Sequence, residues 1–577
     1  MNPAQVQQVA TDILILGSGG AGLFAALHAK KTAPDLDVTV AVKGLLGKCG
    51  CTRMVQGGYN VALAPGDSTE RHFMDTVEGG KWLNDQALAW TLVTEAQVRI
   101  RELETELGCF FDRNPDGSVH QKAFAGQTFD RTVHKGDLTG IEIINRLSEQ
   151  VWRRDVNRLE DHRALELIPA RDGSGLAGVL MLDMRTGEPK LVRAKAVLLA
   201  TGGGPTMYKY HTPSGDKSCD GLAMALRAGL PLRDMEMVQF HPTGRLAGAG
   251  TRMTGTVLEE GLRGAGGWLL DSTGERFMEA YDPRAERATR DIVSRSIIRR
   301  IRDGFATPNG GVHIQMSHLG PEDVRRRFKG MVERCADCGF DLAGGRVEVI
   351  PTAHYMMGGI QFAVDCTTAL PRLYAAGEDT GGVHGANRLG GNGVANSTVF
   401  GGLAGQSMAR AVSRGGSLAD PDPAAMEAGL ARAYGPLGRP ADDLPAIREA
   451  LYETMWNDVG ILRDAAGLTR ALGALDGLSQ AVARAGAPDG DRRYALTWMD
   501  RLNLENLVLV SQGIARAALA RTDSRGAHFR EDHPETSDLA TSAYTVVRRQ
   551  DEGFAIAMEP VAFTHVRPGG SLLDAAA

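Results

Sequence analysis

An α/β fold with a Rossmann-like, dinucleotide-binding core is predicted by three observations. Glycine supplies 72 of 577 residues, nearly twice ordinary usage, and it falls in short bursts after apolar runs. The first burst, GSGGAG at 17–22, follows the apolar run DILIL at 12–16 and opens a helical pattern. Two further strand-to-loop segments recur far downstream, AVLLATGGG at 196–204 and LYAAGE at 373–378. Glycine bursts of this kind mark places where backbone must come close to a ligand.

The elements follow in order. Residues 12–16 read as a buried strand, 17–22 as the turn, the stretch through AALHAKK as a helix, and VTVAV at 38–42 as a second strand. Around 95–110 and 139–153 the apolar period is helical, and 177–183 and 191–200 read as strands. From about 236 to 355 the texture changes to many charges and Gly-Gly pairs, which predicts an inserted α+β capping domain. Residues 365–410 return to the glycine-rich style. From about 421 the bursts fade. Pro421, Pro423, Pro436 and Pro440 punctuate the entry to a set of amphipathic helices, and AYTVVRR and GFAIAME near the end read as strands. The predicted organisation is an FAD-binding domain in two parts (1–240 and 356–418), a capping domain (241–355), a C-terminal helical domain (419–520) and a small terminal unit (521–577).

In Gly17-x-Gly19-x-x-Gly22 the first glycine makes the tight turn. The second lets backbone N–H groups approach a pyrophosphate, and the third lets helix and strand pack closely. The helix N-terminus then faces the phosphates. A plain NAD site needs an acid at the end of the second strand; here Val42-Lys43 stands there. A flavin dinucleotide held by other segments fits better, with Glu378 available to a ribitol or ribose hydroxyl. Three distant segments that must converge point to a two-dinucleotide-binding-type flavoprotein.

Composition excludes several classes. Lys and Arg number 64 against 70 Asp and Glu, a net charge of −6, so no broad nucleic-acid-binding surface is expected. Apolar content of 43% and charged content of 23% exclude a disordered chain. Seven sparse cysteines suit a reducing compartment rather than a disulfide framework. Neither Cys335-x-x-Cys338 nor Cys49-x-Cys51 has the partners a metal site needs, so no metal is expected. No apolar run approaches 18 residues, and the N-terminus lacks a basic leader region; a cytoplasmic protein is expected.

Ten ordered blocks then resemble one family: QGGYN at 56–60, FAGQTFDRT at 124–132, FHPTG at 240–244, EEGLRGAGG at 259–267, GERFM at 274–278, TRDIVSRSI at 289–297, PTAHYMMGGI at 351–360, HGANRLGGNG at 384–393, MWNDVGILR at 455–463 and SRGAHFREDHPE at 524–535. The chain resembles the succinate dehydrogenase/fumarate reductase flavoprotein family, which includes L-aspartate oxidase. The resemblance implies hydride transfer between flavin N5 and one carbon of a C4-dicarboxylate-like acid, with a proton exchanged at the other carbon. By motif position it implies Arg290 as proton donor and acceptor, with Glu260 and Arg263 as its relay. It implies that Arg388 and His354 hold one carboxylate and His241 the other. The cofactor-binding set it implies, beside the glycine turn, is Gly17, Gly19, Gly20, Gly22, Lys43, Thr52, Gln56, Gly57, Gly58, Thr201, Gly202, Asp220, Glu378 and Asn392. It further implies an iron–sulfur electron-transfer subunit, and attachment to the inner face of the cell membrane through partners alone.

The residue types suit this work. A planar guanidinium binds carboxylate by paired hydrogen bonds, and a cationic cluster stabilises charge that develops as hydride adds to an alkene. Two departures matter. Respiratory members tether flavin through a histidine at the position held here by Cys51, so FAD is expected to be non-covalent. A substrate-contacting threonine is replaced by Glu259, and an expected acid by Ala265. A carboxylate beside a dianionic substrate costs binding. Cys51 and Glu259 therefore keep L-aspartate oxidase, or a related amino-dicarboxylate oxidase, as the alternative. The 124–132 segment looks more like the dehydrogenase/reductase branch.

Overall fold

The computed structural model describes residues 6–248, 251, 253–440, 443–488, 490–550 and 553–573. Its centre is a seven-stranded sheet. Gln7–Leu16 lies in the middle, parallel to Val38–Ala41 on one side and to Glu188–Leu199 on the other. Asn157–Leu159 extends one edge in parallel, Leu373–Ala375 pairs parallel with Glu188–Leu199, and the antiparallel strands Leu176–Asp183 and His162–Pro169 complete the other side. Ile13, Leu14, Ile15 and Leu16 are all buried, because helices cover both faces of a parallel sheet. The first strand begins five residues before the apolar run, since Gln7–Thr11 find ladder partners in Lys190–Ala194 although their side chains are mostly polar.

The helix Gly20–Thr32 packs on this sheet and against the long helix Asn392–Ser413. The two helices approach so closely that a Cβ at Gly405 would lie 2.2 Å from the carbonyl oxygen of Ala25. The loop that leads into Asn392–Ser413 is thereby fixed to the frame of the first glycine turn.

A second, antiparallel sheet orders Val238–Arg245, Arg346–Met356, Val312–Gln315 and Trp268–Leu270. The helix Arg290–Arg300 packs against it, and Leu262, Phe277, Val293, Ile297, Val312, Ile314 and Val347 form its own core. This is the capping layer, and the register of Val238–Arg245 against Arg346–Met356 shifts on both sides of Phe240-His241. Irregularities of this sort re-aim side chains, here at the residues that face the first domain.

The C-terminal helices are Pro423–Tyr434, Leu444–Asn457, Ala465–Arg484 and Leu496–Ala520. Asp422, Asp443 and Asp464 cap the first three, and proline in the first turn starts two of them. The two strands expected near the end, Ala543–Gln550 and Gly553–Pro560, pair antiparallel as a hairpin. Its inner strand also pairs with Leu232–Arg233, which ties the end of the chain into the first domain.

Candidate active site

The three glycine-bearing segments converge on one cavity of about 570 Å³. Gly17 is in the left-handed region at φ +113°, and a Cβ there would sit 2.1 Å from the carbonyl oxygen of Ala200. The turn after the first strand thus touches the start of the 200–204 loop, and only glycine permits it. Gly19 offers no side-chain cap to the helix that begins at Gly20, and Thr52 Oγ1 accepts from the Gly20 N–H at 3.0 Å. The first turn lines the cavity, where an anionic ligand can meet the helix N-terminus.

Of the expected cofactor set, Gly17, Gly19, Gly20, Lys43, Thr52, Gln56, Gly57, Gly58, Thr201, Gly202, Asp220 and Glu378 line this cavity. Gly22 and Asn392 stand back from it. A Cβ at Gly22 would lie 1.9 Å from the Gly17 carbonyl oxygen, so this glycine serves helix–strand packing. Asn392 bridges Asn60, His72 and Thr76, and so braces the start of its helix instead of reaching into the cavity.

Lys43 does not take the ribose role of the missing acid; its Nζ donates to Asp220 Oδ2 and Ser218 Oγ, both at 2.9 Å. The Asp220 side chain is 13% exposed, toward the cavity. Burial works to raise its carboxyl, but Arg163 and Lys43 outweigh it and hold the group ionised. Glu378 accepts from the N–H of Met356 at 3.0 Å and of Gly204 at 3.4 Å, while burial pushes it up to about 7. Gln56 Oε1 is buried without a protein partner. A backbone turn that tolerates no side chain, a helix N-terminus on the cavity wall and an orphaned amide oxygen together fit a flavin dinucleotide.

The other end of the cavity is cationic. His241, Glu260, Arg290, His354 and Arg388 line it. Arg290 opens a helix of the capping layer and donates twice to Glu260 Oε2, from Nη2 at 2.6 Å and Nε at 3.1 Å. Arg263 lies behind the cavity wall, donating to Glu260 Oε1 at 3.3 Å and to the Glu286 carbonyl at 2.7 Å. The three residues form a continuous Arg263–Glu260–Arg290 chain. Arg388 comes from the first domain, in the loop before Asn392. Its guanidinium lies 4.4 Å from the ring centre of Tyr355, donates only to the Leu389 carbonyl, and leaves Nε buried and unpartnered.

Electrostatics follow from this packing. Burial, then the neighbouring arginines, hold His241 and His354 well below the usual imidazole range, so both are neutral. His241 Nδ1 faces the N–H of Thr243 at 3.3 Å as acceptor, which leaves the ring proton on Nε2. His354 Nδ1 shares a 2.8 Å hydrogen bond with the Thr212 hydroxyl. Burial acts to raise Glu260, but Arg290 and Arg263 hold its carboxyl below the ordinary value. Burial and Arg290 push Arg388 down to about 10. Three guanidiniums therefore surround one carboxylate, and the cavity is short of negative charge.

Sequence reasoning missed the residue that joins the two arginines. Gln239 Oε1 accepts from Arg290 Nη1 at 3.0 Å, and Gln239 Nε2 donates to the Arg388 carbonyl at 2.7 Å. Its signal was its place just before the FHPTG block. Lys217, which donates to the Thr201 carbonyl at 2.9 Å and lines the cavity, carried no motif at all. Glu259, at the position of the substrate-contacting threonine, is paired: its Oε1 accepts from Lys122 Nζ at 2.6 Å.

A dinucleotide cradle that opens onto buried arginines and neutral histidines is the arrangement of an FAD-dependent oxidoreductase. Residues 12–394 match the family described as FAD binding domain, and residues 448–571 match that of the fumarate reductase flavoprotein C-terminal region. The chain is 42% identical over 534 residues to one chain of the CoM/CoB fumarate reductase of Methanothermobacter marburgensis, covering 91% of this chain and 95% of that one. It is 33% identical over 570 residues to the fumarate reductase flavoprotein subunit of Escherichia coli, covering 95% and 93%. A solved chain of E. coli quinol fumarate reductase superposes with a TM-score of 0.91 at 31% identity, covering 98% of this chain and 99% of that one. The chain belongs to the succinate dehydrogenase/fumarate reductase flavoprotein family.

Proposed function

We propose that this chain is the flavoprotein subunit of a fumarate-reductase-type enzyme whose substrate is a C4 dicarboxylate or a close analogue. The observation that carries this reading is the hydrogen-bonded chain Arg263–Glu260–Arg290, with Gln239 tying Arg290 to the backbone carbonyl of Arg388, whose guanidinium lines the same cavity. FAD, when bound, supplies or accepts the hydride. Arg388, with His354, receives one carboxylate of the acid, and the Nε2–H of His241 meets the other. Arg290 holds the proton that exchanges at the second carbon, and Glu260 and Arg263 replace it. Glu260 also neutralises Arg290 before substrate arrives, so the relay does not repel itself. The test is turnover of fumarate by purified holoenzyme with a reduced dye; no turnover removes this substrate class.

Burial raises the Cys51 thiol to about 12, which keeps it protonated and a poor nucleophile. This supports FAD held without a covalent bond, and full release of flavin on acid precipitation would bear it out. It also favours alkene reduction over succinate oxidation. An amino-dicarboxylate oxidase would want Glu259 free to meet an ammonium, but Lys122 occupies that carboxylate, so of the alternative's two supports Cys51 alone stands. Peroxide release with aspartate would restore the alternative.

For electron supply we propose an iron–sulfur subunit. Leu45, Met54 and Leu138 expose apolar surface beside the Cys51–Met54 turn that lines the cavity, which supports docking near the flavin end. No helix among the described residues is long and apolar enough to cross a membrane. Any membrane contact, at the inner face, would run through such partners.

A further inference from the structure

The proposed reaction needs groups from two layers. Arg388 stands on the frame of the first domain, while His241, Glu260, Arg290 and His354 stand on the capping layer. Something must set one layer against the other. The contacts across the seam near Glu259 supply a candidate.

Lys122 and Asp137 belong to the first domain. Lys122 sits in a short strand that pairs with Thr132–Val133, which in turn pairs with Tyr59–Asn60. Asp137 lies just ahead of the helix Thr139–Trp152, which packs on Gly20–Thr32. Glu259 and Arg334 belong to the capping layer. Across the seam Lys122 Nζ donates to Glu259 Oε1 at 2.6 Å, and Arg334 Nη2 donates to Asp137 Oδ2 at 2.9 Å. Each layer thus presents one cation and one anion, and the pairs run crosswise. A slide or rotation that exchanged partners would set Lys122 toward Arg334 and Asp137 toward Glu259, so only one register is favourable.

Two details make the seam stiff and place it at the chemistry. Arg245, only 2% exposed, donates to the Arg334 carbonyl and to Thr256 Oγ1 at 2.8 Å, so the two capping segments that carry Arg334 and Glu259 are joined in the cavity wall. Glu259 directly precedes Glu260 in the chain, and Asp137, Glu259 and Arg334 all line the same cavity as Arg290. The Glu259 side chain is 7% exposed, against 34% for Arg334, so the inner pair is screened least by solvent.

We infer that Lys122 and Glu259 are positioning residues: with Asp137 and Arg334 they form a crosswise charge seam that sets the capping layer, and hence Arg290 and Glu260, against Arg388. The inference rests on the roles proposed above for Arg290 and Arg388. It also bears on why a carboxylate is tolerated in the wall of an acid-binding cavity: Glu259 is paired with Lys122 at 2.6 Å.

The test is a charge-swap cycle on the full-length holoenzyme: Lys122→Glu, Glu259→Lys and both together. Flavin content is measured first, then kcat and KM for fumarate, then amide hydrogen exchange over residues 254–264. Each single variant should keep FAD, exchange faster over that segment, and lose about tenfold or more in kcat/KM, through kcat more than KM, a coupling within the usual range for contacting residues. The double variant should recover most of both losses. Glu259→Gln, which keeps size and cannot clash, should show the same pattern more weakly. A double variant no better than the product of the singles, or singles with unchanged kcat/KM, overturns the inference. If the wild-type enzyme fails to reduce fumarate, the proposed function falls instead, and exchange in the three variants still decides whether the seam exists.

Discussion

Among the buried arginine–carboxylate clusters of the described residues, two differ in balance. In the active-site cluster Arg263, Arg290 and Arg388 surround a single carboxylate, Glu260, beside an open cavity. In the second, at the junction of the first domain with the chain's end, Arg521 and Arg525 meet three carboxylates. Arg521 donates to Glu236 at 2.6 Å and Asp234 at 3.2 Å, and Arg525 to Asp523 at 2.9 Å. Thr545 completes this cluster with bonds to Asp234 and Glu236, and none of its residues lines the substrate cavity; all are buried. The residue types are the same. The first cluster lacks an anion and has room for one, while the second has anions to spare and is packed shut. A charge deficit beside space points to binding; a surplus without space points to architecture.

The comparison can be broken most sharply at Arg290. Arg290→Ala should lower turnover by about 10²–10⁴-fold, the usual weight of a positioned acid–base group, while flavin stoichiometry stays at wild-type level. Arg521→Ala should do the reverse. It leaves buried carboxylates without their cation and should cost about 3–5 kcal/mol of stability, read as a large fall in Tm, with KM unchanged in whatever protein folds. If Arg521→Ala abolished turnover in fully folded, flavin-loaded protein, the two clusters would not be separable.

A finer distinction is available through pH. Burial and the neighbouring Glu236 carboxylate push Asp234 up to about 7. The folded chain then holds a proton that the unfolded chain releases near pH 4. The stability this gives is complete at low pH and is lost as pH rises through about 7. Thermal melts should show Tm falling over that window, and Asp234→Asn should flatten the fall. The smallest effect is expected at Cys51. Cys51→Ser should leave flavin content and acid release of the flavin unchanged, whereas flavin retained on the wild-type chain after acid would show a covalent bond.

Sequence revealed whatever was local. The Gly17–Gly22 turn, the strand before it and the motif arginines and histidines each sit in contiguous blocks, because a turn or a helix start fixes its own geometry within a few residues. Relations between blocks were less visible. Gln239 joins Arg290 to Arg388 across 51 and 149 positions, and nothing in its flanks shows where its amide points. Glu259 read as an anion before the substrate because its partner, Lys122, lies 137 residues away. The two strands near the end were legible from their alternation, but not the pairing with Leu232–Arg233, since a two-residue strand leaves no periodic trace.

Because Arg388 and Arg290 reach the cavity from separate layers, a bound dianion would act as a cross-brace between them. Ligand occupancy and mechanical cohesion become one quantity: the acid that the enzyme transforms would also clamp its two halves, so a saturated enzyme should resist heat and proteases better than an empty one.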